Sequence, residues 1–142
     1  NIDGAYRQGI ETVVDWELGT TASFDLSYVW QQSRNRENGG ELTYTPTHKF
    51  KLTLNWRLPT KTLTETTLTR VSRQFSDLEN SPEKSVDGYT TVDLKIIQAM
   101  PFKKCKTELF AHFVNLLDQD HESHYGYPDD GFRVTAGANI EF

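Results

Sequence analysis

A single cysteine in 142 residues excludes an internal disulfide, and Cys105 sits in a charged turn, FKKCKT, as a surface thiol would. No run approaches the ~18 apolar residues that a membrane helix needs. Positive charge is not in excess either. With 15 Lys and Arg against 20 Asp and Glu, the formal net charge is −5, which excludes a strongly basic nucleic-acid binder. Amphipathic helical periodicity is missing, and no secretory leader opens the chain. The only methionine is Met100, so Asn1 is not a translation start. The chain is therefore expected either to have lost a leader or to have been cut from something longer.

Catalytic patterns are missing too. There is no phosphate-cradling Gly-rich loop, no HExxH and no serine in a nucleophile elbow, so neither enzyme activity nor a cofactor is expected. Asp129 and Asp130 are adjacent acids in a loop and read as a turn.

What is present is alternation. Seven segments, roughly 6–18, 21–34, 47–58, 62–76, 89–98, 107–117 and 131–142, repeat apolar and polar residues with a period of two, bounded by turn chemistry. In the second, Ala22, Phe24, Leu26, Tyr28 and Trp30 oppose Ser23, Asp25, Ser27 and Gln31. In the third, Phe50, Leu52, Leu54 and Trp56 oppose Lys49, Lys51, Thr53, Asn55 and Arg57. The last runs Phe132, Val134, Ala136, Ala138, Ile140, Phe142 along one face. The fourth, TLTETTLTRVSRQF, has no convincing apolar face, and its orientation stays open.

Connections alternate between short (LGT, LPTK, QAMPFKKCK) and long and polar (NRENGGELTYTP, SDLENSPEKSVDG, DQDHESHYGYPDD). Short turns at one end and long loops at the other describe an antiparallel up-and-down meander of the outer-membrane barrel type. The segments match the ~9–11 residues that cross a bilayer obliquely. Aromatics are expected in two bands, with Trp16, Phe24, Trp56 and Phe142 at the short-turn end and Trp30, Phe75, Tyr89 and Phe132 at the other. The fold class is thus all-β, about seven strands of a transmembrane β-barrel. A soluble β-sandwich binding module, its apolar faces meeting each other, is the alternative left open by composition.

Four stretches carry a family resemblance: AYRQGIE, TYTPTHKFKLTLNW, GYTTVDLKI and HFVNLLDQDHESHYGYPDDGFRVTAGANIEF. Their order resembles the C-terminal end of a TonB-dependent outer-membrane receptor barrel, with Asn115, Leu116 and Asp118, then Gly126, Tyr127 and Pro128, then a final amphipathic strand ending in Phe142. The resemblance implies residence in the bacterial outer membrane. Lipid, the barrel-assembly machinery, a metal-chelate ligand and, through an N-terminal part, the TonB energy-coupling complex are the implied partners. It also implies that residues 1–142 are the C-terminal third of a barrel of about 22 strands with a plug. A self-standing small barrel with an eighth strand within 1–20 or 35–46 is the competing architecture.

In such a receptor the long loops are extracellular. His121 and His124 are candidate contacts to a metal chelate, Tyr125 and Tyr127 offer flat amphipathic area, and Arg36 and Arg73 could attract an anionic chelate. No metal shell is completed around the histidines. The plainer expectation for Arg34, Arg36, Arg70 and Arg73 is salt links with Glu37, Glu41, Asp77 and Glu79. Phe132, Val134, Ile140 and Phe142 resemble the terminal signal read during barrel assembly. Deleting Phe142 should lower the amount of protein assembled in the outer membrane without lowering its synthesis, as measured by surface labelling against total protein.

Overall fold

Three residues turn the chain between its first two strands, and Gly19 takes the positive φ (67°) that this tight reversal requires. The computed structural model describes residues 4–102 and 105–141. Its strands are β1 (Ala5–Leu18), β2 (Ala22–Asn35), β3 (His48–Arg57), β4 (Thr62–Val71), β5 (Gln74–Phe75), β6 (Ser85–Val86), β7 (Tyr89–Met100), β8 (Lys106–Val114), β9 (Glu122–His124), β10 (Tyr127–Pro128) and β11 (Arg133–Glu141). One 3-10 turn, Pro82–Lys84, precedes β6. Seven strands form a single antiparallel sheet in the order β1-β2-β3-β4-β7-β8-β11, and β5/β6 and β9/β10 are small pairs within the long loops. The seven-stranded meander expected from alternation is therefore present.

Register sorts the side chains. Residues directly opposite one another share a face. Phe24 lies between Trp16 and Leu54, Leu26 between Val14 and Leu52, and Leu94 between Thr66 and Phe113. The apolar face continues through Ala111 to Ala136 and through Phe113 to Val134. The opposite face carries Asp25, Lys51, Thr53, Glu65, Lys95 and His112, joined in places by side-chain hydrogen bonds such as Thr53 to Thr67 (3.2 Å) and Asn55 Nδ2 to Asp25 (3.3 Å).

The same register settles β4. Leu68 pairs with Leu52 and Val92, so Thr64, Thr66, Leu68 and Arg70 take the apolar face and Glu65, Thr67 and Thr69 the polar one. The expected fourth segment was too long, however. Ladder pairing stops at Val71, and Gln74–Phe75 pairs with Ser85–Val86 instead. Gly88 approaches so closely that a Cβ there would lie 2.9 Å from the carbonyl oxygen of Val71 and the nitrogen of Arg73. Phe75 consequently leaves the sheet. Tyr89 pairs with Val71 on the polar face. Neither belongs to the long-loop aromatic band where the alternation put them. Trp30 stands there as expected, joined by Tyr28 and Phe50. At the other end Trp16 and Phe24 stack with centroids 6.3 Å apart, and Trp56 stands opposite Ala22. Phe142 lies outside the described residues.

Phe110 falls on the polar face opposite Gly137, where a Cβ would come within 2.7 Å of the ring. The glycine leaves room for the aromatic to lie across the strand pair.

The sheet has no core in the soluble sense. Among the described residues Val86 is the buried hydrophobic (2% exposed), whereas Ile10, Trp56 and Ile140 are 62%, 58% and 55% exposed. Among the described residues no second sheet covers the apolar face, which counts against the sandwich alternative. With that face in lipid, Leu54→Arg should cost about 2–4 kcal/mol near the bilayer midplane. Thr53→Arg, on the polar face, should be far milder. Denaturant titration of the two variants in lipid checks the difference, and equal costs would mean the face assignment is wrong.

Candidate functional site: the long-loop end

Three long connections, residues 36–47, 72–88 and 115–132, leave the same end of the sheet. Their backbones are tied to one another by specific bonds. Asn80, at positive φ (56°), receives the N–H of Glu41 at 2.6 Å and donates to the Glu41 carbonyl at 2.9 Å, joining the first loop to the second. The N–H of Tyr44 donates to the carbonyl of Phe75 (2.8 Å), and Gln74 Nε2 donates to the carbonyl of Ser123 (3.1 Å). All three loops are thereby linked.

The third loop is launched by Asn115, only 1% exposed and at φ 52°. Asparagine tolerates this left-handed conformation better than most residues. Its N–H donates to Asp93 Oδ1 (2.8 Å), its Nδ2 to the Gln119 carbonyl (3.1 Å), and its Oδ1 accepts the Gln119 N–H (3.2 Å). Asp118 Oδ1 then accepts the Phe132 N–H (2.8 Å), bringing the loop back to start β11. Gln119 Oε1 accepts the Thr90 N–H (2.9 Å) where β7 has lost its ladder partner. The Asn-Leu-x-Asp stretch is thus a turn that satisfies backbone groups of β7 and of the start of β11.

Between the second and third loops lies a cavity of about 830 Å³, whose lining includes Arg70, Arg73, Asp87, Gln119, His121 and Tyr125. His121 is fixed on three sides. Its ring lies 4.3 Å (centroids) from that of Tyr89, Nδ1 is 3.0 Å from the Gln119 carbonyl oxygen, and Nε2 is 3.8 Å from Asp129 Oδ2. Of the six residues singled out as ligand contacts, Arg73, His121 and Tyr125 meet at this cavity. His124 packs instead against Tyr44 at 4.9 Å, Tyr127 projects away at 76% exposure, and Arg36 stands near Gly4 at the far side of the first loop. Pattern reading passed over Tyr44, Asn80 and Gln119, which hold the loops in place, and named Tyr89 only for the aromatic band. Of these only Asn80, in a polar ENSP turn, carried a local signal.

The expected arginine–carboxylate links do not form among the described residues. Arg34 donates to the Gly39 carbonyl (2.8 Å), Arg70 to Thr90 Oγ1 (2.8 Å), and Arg73 lies over the Phe75 ring at 5.0 Å. Asp77 pairs with Lys84 rather than an arginine, at 3.5 Å. Hydrogen bonds from Ser81, by side chain and by the backbone N–H at 2.9 Å, hold the Asp77 carboxyl below its ordinary value, and Lys84 adds to the effect. Among the described residues no group of three or more His, Cys, Asp or Glu side chains forms a metal shell.

A sheet with one uncovered apolar face, one polar face and all its long loops at one end is a section of membrane β-barrel wall. The chain belongs to the TonB-dependent receptor-like β-barrel family, whose model matches residues 1–116. No curated protein matches it. Its fold is that of solved receptors. The ferric preacinetobactin receptor BauA from Acinetobacter baumannii superposes with TM-score 0.86 at 14% identity, over 97% of this chain and 22% of the receptor. For the ferric citrate transporter FecA the values are 0.83, 18%, 96% and 24%. For the ferric-catecholate import receptor Fiu from E. coli K12 they are 0.78, 19%, 97% and 21%. The chain therefore spans less than a quarter of the length of these receptors.

The depressed Asp77 acidity gives the second loop a pH dependence. A carboxyl whose folded value is lowered stabilises the fold in full above its unfolded value, near 3.8, and loses that contribution as the pH falls through the folded value. Loop 72–88 should resist limited proteolysis at neutral pH and become cleavable on acidification below that range. Asp77→Asn should be cleaved at a rate that changes little with pH.

Proposed function

We propose that this chain is the C-terminal part of the barrel of a TonB-dependent outer-membrane active transporter that takes up a scarce nutrient as a metal chelate. Ferric siderophores, haem and cobalamin are the ligand classes that fit. The observation carrying this reading is the open sheet of a family barrel. Strands β1 and β11 are each paired on one side only, and not with each other. In lipid every unpaired backbone N–H and C=O costs several kcal/mol, so only a closed barrel is tenable. Further strands must close it, which also counts against a self-standing small barrel. The plug and the segment that engages the TonB energy-coupling complex would lie outside these residues.

On this reading the chain makes and breaks no bonds. It supplies a lipid-stable wall, a polar inner face, and one side of a ligand-collecting mouth. Arg73 and Tyr125 present cationic and aromatic contact area at the loop cavity, and His121 is held there by Tyr89, Gln119 and Asp129. In metal-limited cells carrying the intact protein, uptake of a labelled metal chelate should stop when the inner membrane is de-energised. Replacing Arg73, His121 and Tyr125 together by Ala should raise the half-saturating concentration by about tenfold or more, the loss of ~1.4 kcal/mol of contact. Failure of every metal chelate to enter in an energy-dependent way would contradict the transport reading.

A further inference from the structure

Charge is unevenly distributed between the loops and the wall they stand on. The three long loops hold eleven of the chain's 20 acidic residues and three of its 15 basic ones, a formal charge of −8 in a chain whose total is −5. The third loop alone has five acids and no Lys or Arg. By register, the polar face of the sheet is close to balance, with eight acids and seven bases. The negative excess therefore belongs to the loop end.

Little of it is neutralised from within. Among the described residues two of the eleven loop carboxylates pair with a Lys or Arg, Asp77 with Lys84 (3.5 Å) and Asp130 with Arg133 (2.8 Å). No loop Asp or Glu is buried. Others are held by neutral donors, which fix a carboxylate without cancelling its charge. Glu122 Oε2 accepts the Gly126 N–H (2.8 Å), and Asp129 Oδ2 accepts the Ser123 hydroxyl (2.6 Å).

The cavity between the second and third loops gathers this excess. Its lining sets Asp87, Asp120, Glu122 and Asp129 against Arg70 and Arg73. Both guanidinium groups are engaged within the chain. Arg70 Nη1 donates to Thr90 Oγ1 at 2.8 Å, and Arg73 lies over the Phe75 ring at 5.0 Å. Asp87 and Asp120 are exposed and have no ion-pair partner among the described residues. A recess lined by one sign of charge focuses its field on whatever enters.

We propose that this site takes a metal complex of net positive charge and discriminates against anionic chelates. The inference rests on the transport reading and narrows its ligand classes. The arginines that would recruit an anion are poorly placed to do so, since Arg36 stands across the first loop and Arg73 is outnumbered by the carboxylates around it. Tyr125, exposed at the same cavity, offers a ring face of the kind that attracts cations. The screening length at physiological salt is about 8 Å, so the cavity carboxylates act on a ligand already inside, and the remaining loop charge acts mainly on its approach.

The test uses the intact protein in nanodiscs of zwitterionic phospholipid, with its native cysteines replaced by Ser and a reporter thiol introduced at the cavity by Ser85→Cys. The thiol is modified with two methanethiosulfonates of similar size, one bearing a trimethylammonium group and one a sulfonate, and each rate is divided by that of the same reagent with a free small thiol. At low salt the cationic reagent should react at least about tenfold faster on this scale. The ratio should fall toward one near ~1 M salt, where screening acts within about 3 Å. Asp87→Asn together with Asp120→Asn should lower the low-salt ratio several-fold. A low-salt ratio of one or less, or a ratio indifferent to salt, overturns the proposal. Found in a protein that takes up a metal chelate in an energy-dependent way, such a ratio overturns the charge class alone. Failure of every metal chelate to enter overturns the transport reading and this inference with it.

Discussion

Backbone hydrogen bonding without water is the constraint on which the rest of this structure depends. In hydrocarbon an unpaired N–H or C=O has no substitute partner, so strands must be long, regular and laddered on both sides. The seven long strands obey this along their shared edges, in an order that follows the chain. The irregular backbone is gathered outside the ladder. Short reversals such as Gly19 close one end, and the loops at the other satisfy themselves through Asn80, Asn115, Asp118 and Gln119. What a soluble domain would spend on a packed core is here divided between lipid on one face and cross-strand polar contacts on the other.

This division explains why the long loops can hold a cavity at all. Tied to one another and to the ends of β7 and β11, they form a body standing on the sheet rather than independent tethers. His121 is held by Tyr89, Gln119 and Asp129, and Arg73 by the Phe75 ring, so two of the side chains at the cavity have fixed neighbours within the loops.

Much of the sheet was legible in the sequence because a half-exposed strand has a strict period of two. Leu54 against Thr53, or Val134 against Arg133, could be assigned from alternation alone. In β4 alternation failed, since Thr64 and Thr66 are tolerated on an apolar face near Leu54 and Leu94, and only pairing reveals their side. Phe75 and Tyr89 were misplaced for a related reason. A strand's end depends on a close approach such as that of Gly88, a contact between segments that no local pattern records. At the loops, residue type pointed to Arg73, His121 and Tyr125, but type could not show that His124 turns to Tyr44 or that Arg36 stands apart. The expected arginine salt links were wrong because partners were inferred from sequence proximity, whereas the folded loops offer Gly39, Thr90 and Phe75 instead.

The central claim is that this open sheet is one section of a larger closed wall. The most direct measurement is the mass of the native polypeptide in isolated outer membranes, detected with an antibody to the last dozen residues of the sequence. A band several-fold heavier than the 16.3 kDa of these 142 residues is the predicted result. A membrane band at 16.3 kDa would contradict it, because the two unpaired edges would then have no strands to close them.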